Sequence, residues 1–189
     1  MRRRDVGLIV VGAVLTEVSR RLARRPNVGR VEEEVFRAVN GASDRIRMPV
    51  RAVMQAGTLV TVPLAAGAAL ALGRRDLAER LALGGAAAWF LARRLKPLAG
   101  RQRPDLVLDG VRIREGIEGN LGWVSGHAAV STTLASLVAP EVAGPVRLVL
   151  GGIVATTGFG RMYVGAHLPL DIVGGVGLGM IVSGICRGR

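Results

Sequence analysis

Four residue classes are nearly missing from this chain. Cysteine occurs once, at Cys186, lysine once, at Lys96, and histidine twice, at His127 and His167. Aromatic residues make up only 3% of the sequence. A single cysteine excludes an intrachain disulfide scaffold and a multi-cysteine zinc site. Few aromatics, with acidic residues interleaved among the basic ones, argue against a nucleic-acid surface. The 27 glycines follow no three-residue period, which excludes a collagen-like chain. Apolar residues and arginine are what the chain has in excess. Half of the 189 residues are apolar and the mean hydropathy is +0.38. The net charge is +12, and 25 of the 26 basic residues are arginine. So apolar a chain is not a disordered tail. Its length suits one domain or one compact membrane bundle.

A spanning helix needs about 20 mostly apolar residues. Residues 52–73 form a run of 22 without Asp, Glu, Lys or Arg, and 121–140 form one of 20. Shorter runs lie at 6–16, 81–92, 148–160 and 172–186. They become full spans when the arginines at their ends snorkel or face a polar cavity. The pattern predicts an all-α fold, a polytopic membrane helical bundle. About six transmembrane helices are expected, at 6–23, 52–73, 78–95, 123–139, 146–163 and 168–186. The first has a basic start but no small-x-small cleavage site, so it is expected to remain as a helix. Glycine and alanine dominate the spans and allow close helix packing. Gly175-Val176-Gly177 begins a GxG pattern, but no strand precedes it, which excludes a dinucleotide loop. Between the first two spans, Val31, Val35, Phe36 and Val39 recur at helical spacing, with Glu32, Glu33 and Glu34 opposite. That is a short interfacial amphipathic helix, ended by Asn40-Gly41.

The scarce residues lie at the boundaries of apolar runs, where ionisable groups are costly and usually functional. Lys96 opens a segment that reaches Arg103-Pro104, His127 follows Ser125-Gly126, and Arg161 precedes His167 and Asp171. His167 and Asp171 are four apart, so on a helix they would share a face. A carboxylate beside an imidazole fixes its tautomer and turns the other nitrogen into a nucleophile. His127 suits proton transfer to a leaving group. Arginine forks match phosphate oxygens two at a time, and N–H groups at a helix start bind anions. Lys96, Arg103, Ser125, Gly126 and Arg161 would therefore hold a phosphate. The set describes metal-free phosphoryl transfer through a phosphohistidine, with the cations on the equatorial oxygens. Lysine kept at 96, in a chain otherwise committed to arginine, indicates that an ammonium is wanted there. Trp123 and Tyr163 are expected as interface-belt aromatics. Arg101, Arg112 and Arg114 are expected to be solvated, with some attraction for an anionic headgroup.

The pattern Lys-x6-Arg-Pro, then Ser-Gly-His, then Arg-x5-His-x3-Asp resembles the type 2 phosphatidic acid phosphatase superfamily. That superfamily holds lipid phosphate phosphatases and, more distantly, glucose-6-phosphatases and vanadium haloperoxidases. The resemblance spans roughly residues 93–175. The stretch Glu33 to Gly57, with Phe36, Asn40 and Met54-Gln55-Ala56-Gly57, also looks like bacterial members. Two positions depart from the usual pattern: Val124 stands for a proline before Ser-Gly-His, and Gly160 for a serine before the arginine. The second departure removes a possible hydroxyl donor to phosphate. The resemblance implies His167 as nucleophile, Asp171 as its orienting partner and His127 as acid. It implies one membrane-embedded domain over 1–189, with a motif-bearing core at 93–175 and an N-terminal helix and amphipathic segment at 1–51. No cofactor and no metal are expected. The partner is a membrane lipid phosphate in the bilayer, with no nucleic acid. A polyprenyl diphosphate, phosphatidic acid and phosphatidylglycerol phosphate are the candidate substrates. A phosphotransferase using the same phosphohistidine, or a non-catalytic protein that binds anionic lipid, are the alternatives. The resemblance also implies a multi-pass protein of the cell membrane with an extracytoplasmic site. The basic residues run against that orientation, nine inside against 17 outside.

Overall fold

Proline, glycine and hydroxyl side chains set the helix boundaries. The computed structural model describes residues 3–116 and 119–188. Arg2 and Arg189, counted above on the inner side, lie outside the described residues. Among the described residues, eight α-helices follow in order: α1 Arg3–Ala23, α2 Arg30–Asn40, α3 Arg47–Met54, α4 Thr61–Ala71, α5 Arg75–Leu95, α6 Gly126–Val138, α7 Gly144–Tyr163 and α8 Pro169–Arg187. No strand occurs among the described residues, only an isolated antiparallel bridge between Gln102 and Leu121. Ser125 caps α6, while Pro145 and Pro169 sit in the first turns of α7 and α8, where the missing N–H costs nothing.

The expected span 52–73 is not one helix. It is broken into α3, a 3-10 turn at Gln55–Gly57, and α4, with a bend of 69°. Pro63 explains the break, since its ring and missing N–H forbid a continuous helix through the preceding turn. The hydroxyls of Thr58 and Thr61 both donate to the Gln55 carbonyl that the break exposes, at 2.8 and 2.6 Å. Among the described residues, α8 alone is by itself long and apolar enough to cross a bilayer, and the bent α3–α4 unit passes as a pair. Helices α1, α5 and α7 reach 20–21 residues but carry charges near their ends. Helix α6, at 13 residues, is shorter than the expected 123–139.

Short α6 is the centre of the bundle. Ala128, Ala129, Val130, Thr133, Leu134 and Leu137 are all buried, and Ala129, Val130, Leu134 and Leu137 pack with residues of α4, α5 and α8 in one apolar core. The glycines of α8 allow this. Gly175 and Gly179 lie against the α6 backbone, and Gly177 lies against Gly12 and Thr16 of α1. A second cluster, Val50, Met54, Tyr163, Val164 and Ala166, joins α3 to the end of α7. Outward-facing apolar residues ring the bundle, among them Val10, Val14 and Val18 on α1, Leu64 and Leu70 on α4, Leu83 and Phe90 on α5, and Leu148 and Val149 on α7. Exposed apolar surface on this many helices marks a contact with a membrane or a partner.

Three expectations need correction. Trp123 and Tyr163 are 1% and 0% exposed, so they are core residues and not belt aromatics. Tyr163 carries the Arg114 guanidinium over its ring at 4.1 Å. Arg114 is itself sequestered: it pairs with Asp44 and donates to the carbonyls of Asn40, Ala42 and Tyr163. Arg101 is buried and Arg114 half-buried, so two of the three loop arginines expected in solvent are drawn into the structure, and only Arg112 is exposed. Helix α2 turns a different face inward from the one its valines suggest. Phe36 and Asn40 are buried while Val31 and Val35 are exposed, and Glu32 points into the bundle. The Asn40 amide explains part of this, since it joins the carbonyls of Arg112 and Tyr163 and the N–H of Arg112.

Candidate active site

All of the motif residues gather at one end of the bundle. Lys96 follows α5, His127 opens α6, Arg161 closes α7, His167 lies two residues before α8, and Asp171 is in the first turn of α8. Each is carried by a local feature of the sequence. Pro97 ends α5 in a 3-10 turn at Lys96–Leu98. Gly165, at φ +82°, makes the reversal after α7 that a residue with a side chain resists, and its Cα packs toward the Arg112 carbonyl. That reversal lets the amides of Ala166 and His167 both donate to the Arg161 carbonyl, at 3.0 and 3.2 Å. Gly57, in the α3–α4 break, touches the His127 backbone so closely that a Cβ there would fall 2.5 Å from the His127 carbonyl oxygen.

A cavity of about 620 Å³ opens here, and Lys96, Arg103, Gly126, His127, Arg161 and His167 all line it. Trp89 also lines it and meets the His127 ring edge-on, with centroids 6.0 Å apart. The Lys96 ammonium donates to the carbonyls of Leu121, Gly122 and Val124, at 3.0, 3.1 and 3.4 Å. Burial, with Arg103 close by, pulls Lys96 down to about 8 from the usual lysine range. Arg103 donates to the carbonyls of Gly119 and Ala166, both at 2.7 Å. Arg161 Nη1 lies 3.3 Å from Glu115 Oε2, and its buried Nε has no hydrogen-bond partner among the described residues. A guanidinium edge left open beside a cavity suits an anion's oxygen.

His167 lies in the turn between α7 and α8, so it meets Asp171 across a helix start and not on one helical face. Its Nδ1 is 3.4 Å from Asp171 Oδ2, which also accepts the Leu168 N–H at 2.9 Å. Burial, then Lys96, Arg161 and Arg103, hold this imidazole well below the usual histidine range, so it is neutral. Asp171 is 0% exposed and stands behind His167, away from the cavity. Ser125 is also fully buried; its hydroxyl accepts from the Ala128 N–H as the α6 cap, and it does not line the cavity. Gly126 supplies the helix start on the cavity wall.

The Gly160 departure has a steric cause: a Cβ there would lie 3.1 Å from Met54 Sδ and 3.2 Å from Val50 Cγ1. The sequence reading missed two residues at this site. Arg101 faces Asp171 Oδ1 at 3.4 Å, and Glu32 grips Arg101 with both oxygens. The helical spacing Glu32–Phe36–Asn40 was the available signal. Among the described residues, no three of His, Cys, Asp and Glu cluster as metal ligands.

Comparison with known proteins bears on this geometry. The PAP2 superfamily model matches residues 77–188. The crystal structure of Aquifex aeolicus LpxE superposes with a TM-score of 0.76 at 23% identity, over 87% of this chain and 99% of that one. The crystal structure of a transmembrane PAP2-type phosphatidylglycerolphosphate phosphatase from Bacillus subtilis gives 0.68 at 18% identity, over 99% of this chain and 96% of that one. Comparison with curated protein sequences returns no match. The family match covers more than half of the chain and takes in Lys96, Arg103, His127, Arg161, His167 and Asp171, so the chain belongs to the PAP2 superfamily of phosphatases.

Proposed function

We propose that this chain is an integral membrane lipid phosphatase that hydrolyses a phosphomonoester or diphosphate of a lipid through a phosphohistidine on His167. The observation that carries the reading is the convergence of both histidines with Lys96, Arg103 and Arg161 on one cavity. The three cations and the N–H groups at the α6 start hold the non-bridging oxygens and stabilise their charge in the transition state. Asp171 keeps the proton on His167 Nδ1, which leaves the Nε2 lone pair free to attack phosphorus. As the N–P bond forms, the P–O bond to the lipid breaks, and His127 gives its proton to the departing oxygen. Water then attacks phosphorus and passes a proton to His127. The P–N bond breaks and orthophosphate leaves. Guanidinium and ammonium groups supply the positive charge that a metal supplies elsewhere, so the reaction needs no metal.

A cavity at one end of a lipid-belted bundle lets an acyl or prenyl tail stay in the bilayer while the phosphate meets the cations. Polyprenyl diphosphate, phosphatidic acid and phosphatidylglycerol phosphate all fit, because the named groups read phosphate and not the tail. The deciding experiment measures phosphate release from a panel of these lipids in detergent, with and without a chelator. The rate is expected to survive the chelator and vanish in His167→Ala. A wild-type rate in His167→Ala would overturn the reading.

An extracytoplasmic site is the orientation of this reading, and Arg74, Arg75, Arg80, Arg147 and Arg187, which gather at the opposite end of the bundle, would then face the cytoplasm as the positive-inside rule prefers. Val107→Cys, on the exposed loop of the site end, should react with a membrane-impermeant thiol reagent in intact cells, and Cys186 should not. The reverse labelling would invert the orientation.

A further inference from the structure

Asp171 does not stand alone behind His167. Its Oδ2 serves His167 and the Leu168 N–H, while its Oδ1 faces Arg101 Nη1 at 3.4 Å. Glu32 Oε1 accepts from the same Nη1 at 2.8 Å, closer than Asp171, and Glu32 Oε2 accepts from Nη2 at 2.6 Å. Glu32 Oε1 also accepts the Leu170 N–H at 2.9 Å, so both carboxylates sit on the first turn of α8. The Arg101 and Glu32 side chains are 8% and 10% exposed, and neither lines the cavity. Burying two carboxylates and a guanidinium carries a large desolvation cost, and replacing such a trio by apolar residues of similar volume is often neutral or stabilising. Stability alone therefore does not account for the arrangement.

Its charge does. Two carboxylates and one guanidinium leave a surplus negative charge on the side of His167 opposite the phosphate-facing cations. When Nε2 bonds to phosphorus while Nδ1 keeps its proton, the imidazole ring becomes positive. A neutral Arg101–Asp171 pair would offer that ring little. The two-pronged grip of Glu32 on Arg101 keeps the guanidinium from closing onto Asp171, and leaves Asp171 Oδ2 to the histidine.

We propose that Glu32 and Arg101 are positioning residues for phosphoryl transfer: the buried ion pair aims Asp171 at His167 and supplies the surplus charge that balances the phosphorylated ring. The inference rests on the reading of His167 as nucleophile. It also gives α2 a role, since that helix delivers Glu32 to the nucleophile from 135 positions earlier in the chain. Neither residue touches substrate, so both act on the chemical step and not on phosphate capture.

The test compares Glu32→Gln, Arg101→Met, Arg101→Lys and the double variant Glu32→Gln/Arg101→Met with wild type. The readouts are kcat, KM, and inhibition by vanadate and by orthophosphate, with His167→Ala as reference. Glu32→Gln and Arg101→Met should each lower kcat by roughly tenfold to a hundredfold, the range lost when a supporting partner of a reacting group is removed. KM and orthophosphate inhibition should stay within about threefold, since Lys96, Arg103 and Arg161 are intact, a shift well below one tenfold step of affinity. Vanadate, which resembles the transition state, should weaken in step with kcat. The double variant should cost no more than the worse single one, because the two residues act as one unit. Arg101→Lys should recover part of the loss. Unchanged kcat in Glu32→Gln, beside an inactive His167→Ala, would overturn the positioning role and leave the nucleophile reading standing. A rise in KM that accounts for the whole loss would also overturn it. An active His167→Ala would instead remove the nucleophile reading itself. Should Glu32→Gln fail to fold, Glu32→Asp decides: its carboxylate falls short of the double contact, so a wild-type kcat there would refute the proposal.

Discussion

Gly57→Ala tests whether the break between α3 and α4 sets the position of His127. A Cβ at residue 57 would lie 2.5 Å from the His127 carbonyl oxygen and 2.9 Å from its Cα. Ordinary C···O contact begins at about 3.3 Å, so roughly 1 Å of separation must be created. The obstacle is backbone on both sides, and no flexible side chain can yield. The start of α6 must therefore shift, and His127 with it. A misplacement of about 1 Å at a reacting group costs on the order of a hundredfold in rate. Lys96, Arg103 and Arg161 sit on other segments, so KM should move far less than kcat. The leaving group sharpens the assay. His127 matters only where the departing oxygen needs a proton. Gly57→Ala should therefore slow release from a lipid monophosphate strongly and from a nitrophenyl phosphate weakly, since nitrophenolate leaves unprotonated. An equal loss on both substrates, or a wild-type rate on the lipid, would refute the reasoning.

Three further outcomes follow from particular contacts. Lys96 is charged below about pH 8 and neutral above it, because burial and Arg103 lower its affinity for a proton. The value of kcat/KM, which reports the free enzyme, should fall as pH rises through about 8, and Lys96→Arg should remove that limb while lowering the plateau. Gly160→Ser should not raise activity; its Cβ meets Met54 and Val50, so the apparent Tm should drop by a few degrees, and Met54→Ala in the same chain should return part of the loss. Gly177→Val places a branched side chain where a Cβ alone would lie 2.5 Å from Thr16 Oγ1 and 2.7 Å from the Gly12 carbonyl. Prising α1 from α8 should lower the apparent Tm in detergent by about 3–10 °C, and an unchanged Tm would show that the two helices do not pack as described.

How much of this was legible in the sequence depended on residue scarcity. A chain with one lysine and two histidines marks them, and all three line the cavity. Helix positions were legible from apolar runs to within a few residues for α1, α5, α7 and α8. The α3–α4 break was not, because a run of 22 uncharged residues hides a single proline whose effect depends on its place in the turn. Arginine gave the opposite difficulty. With 25 of them, presence carries no information, and the solvated reading of residue 101 was the reasonable default. Burial carries the information instead. Only Arg101, Arg103 and Arg161 fall among the buried residues described. Two of these three belong to the recurring motifs, and the third faces the carboxylate behind His167. Likewise three consecutive glutamates cannot announce which one turns inward. Helical phase separates them, since only Glu32 lies one turn before Phe36 and two before Asn40, both buried. The inward face of α2 is thus written at i, i+4 and i+8, but an acidic residue in the first of those places reads as solvent-facing until a buried partner is known. That partner is one of 25 like residues, so only the folded chain pairs them, and the ion pair that best explains the position of Asp171 is the one that the sequence had least means of marking.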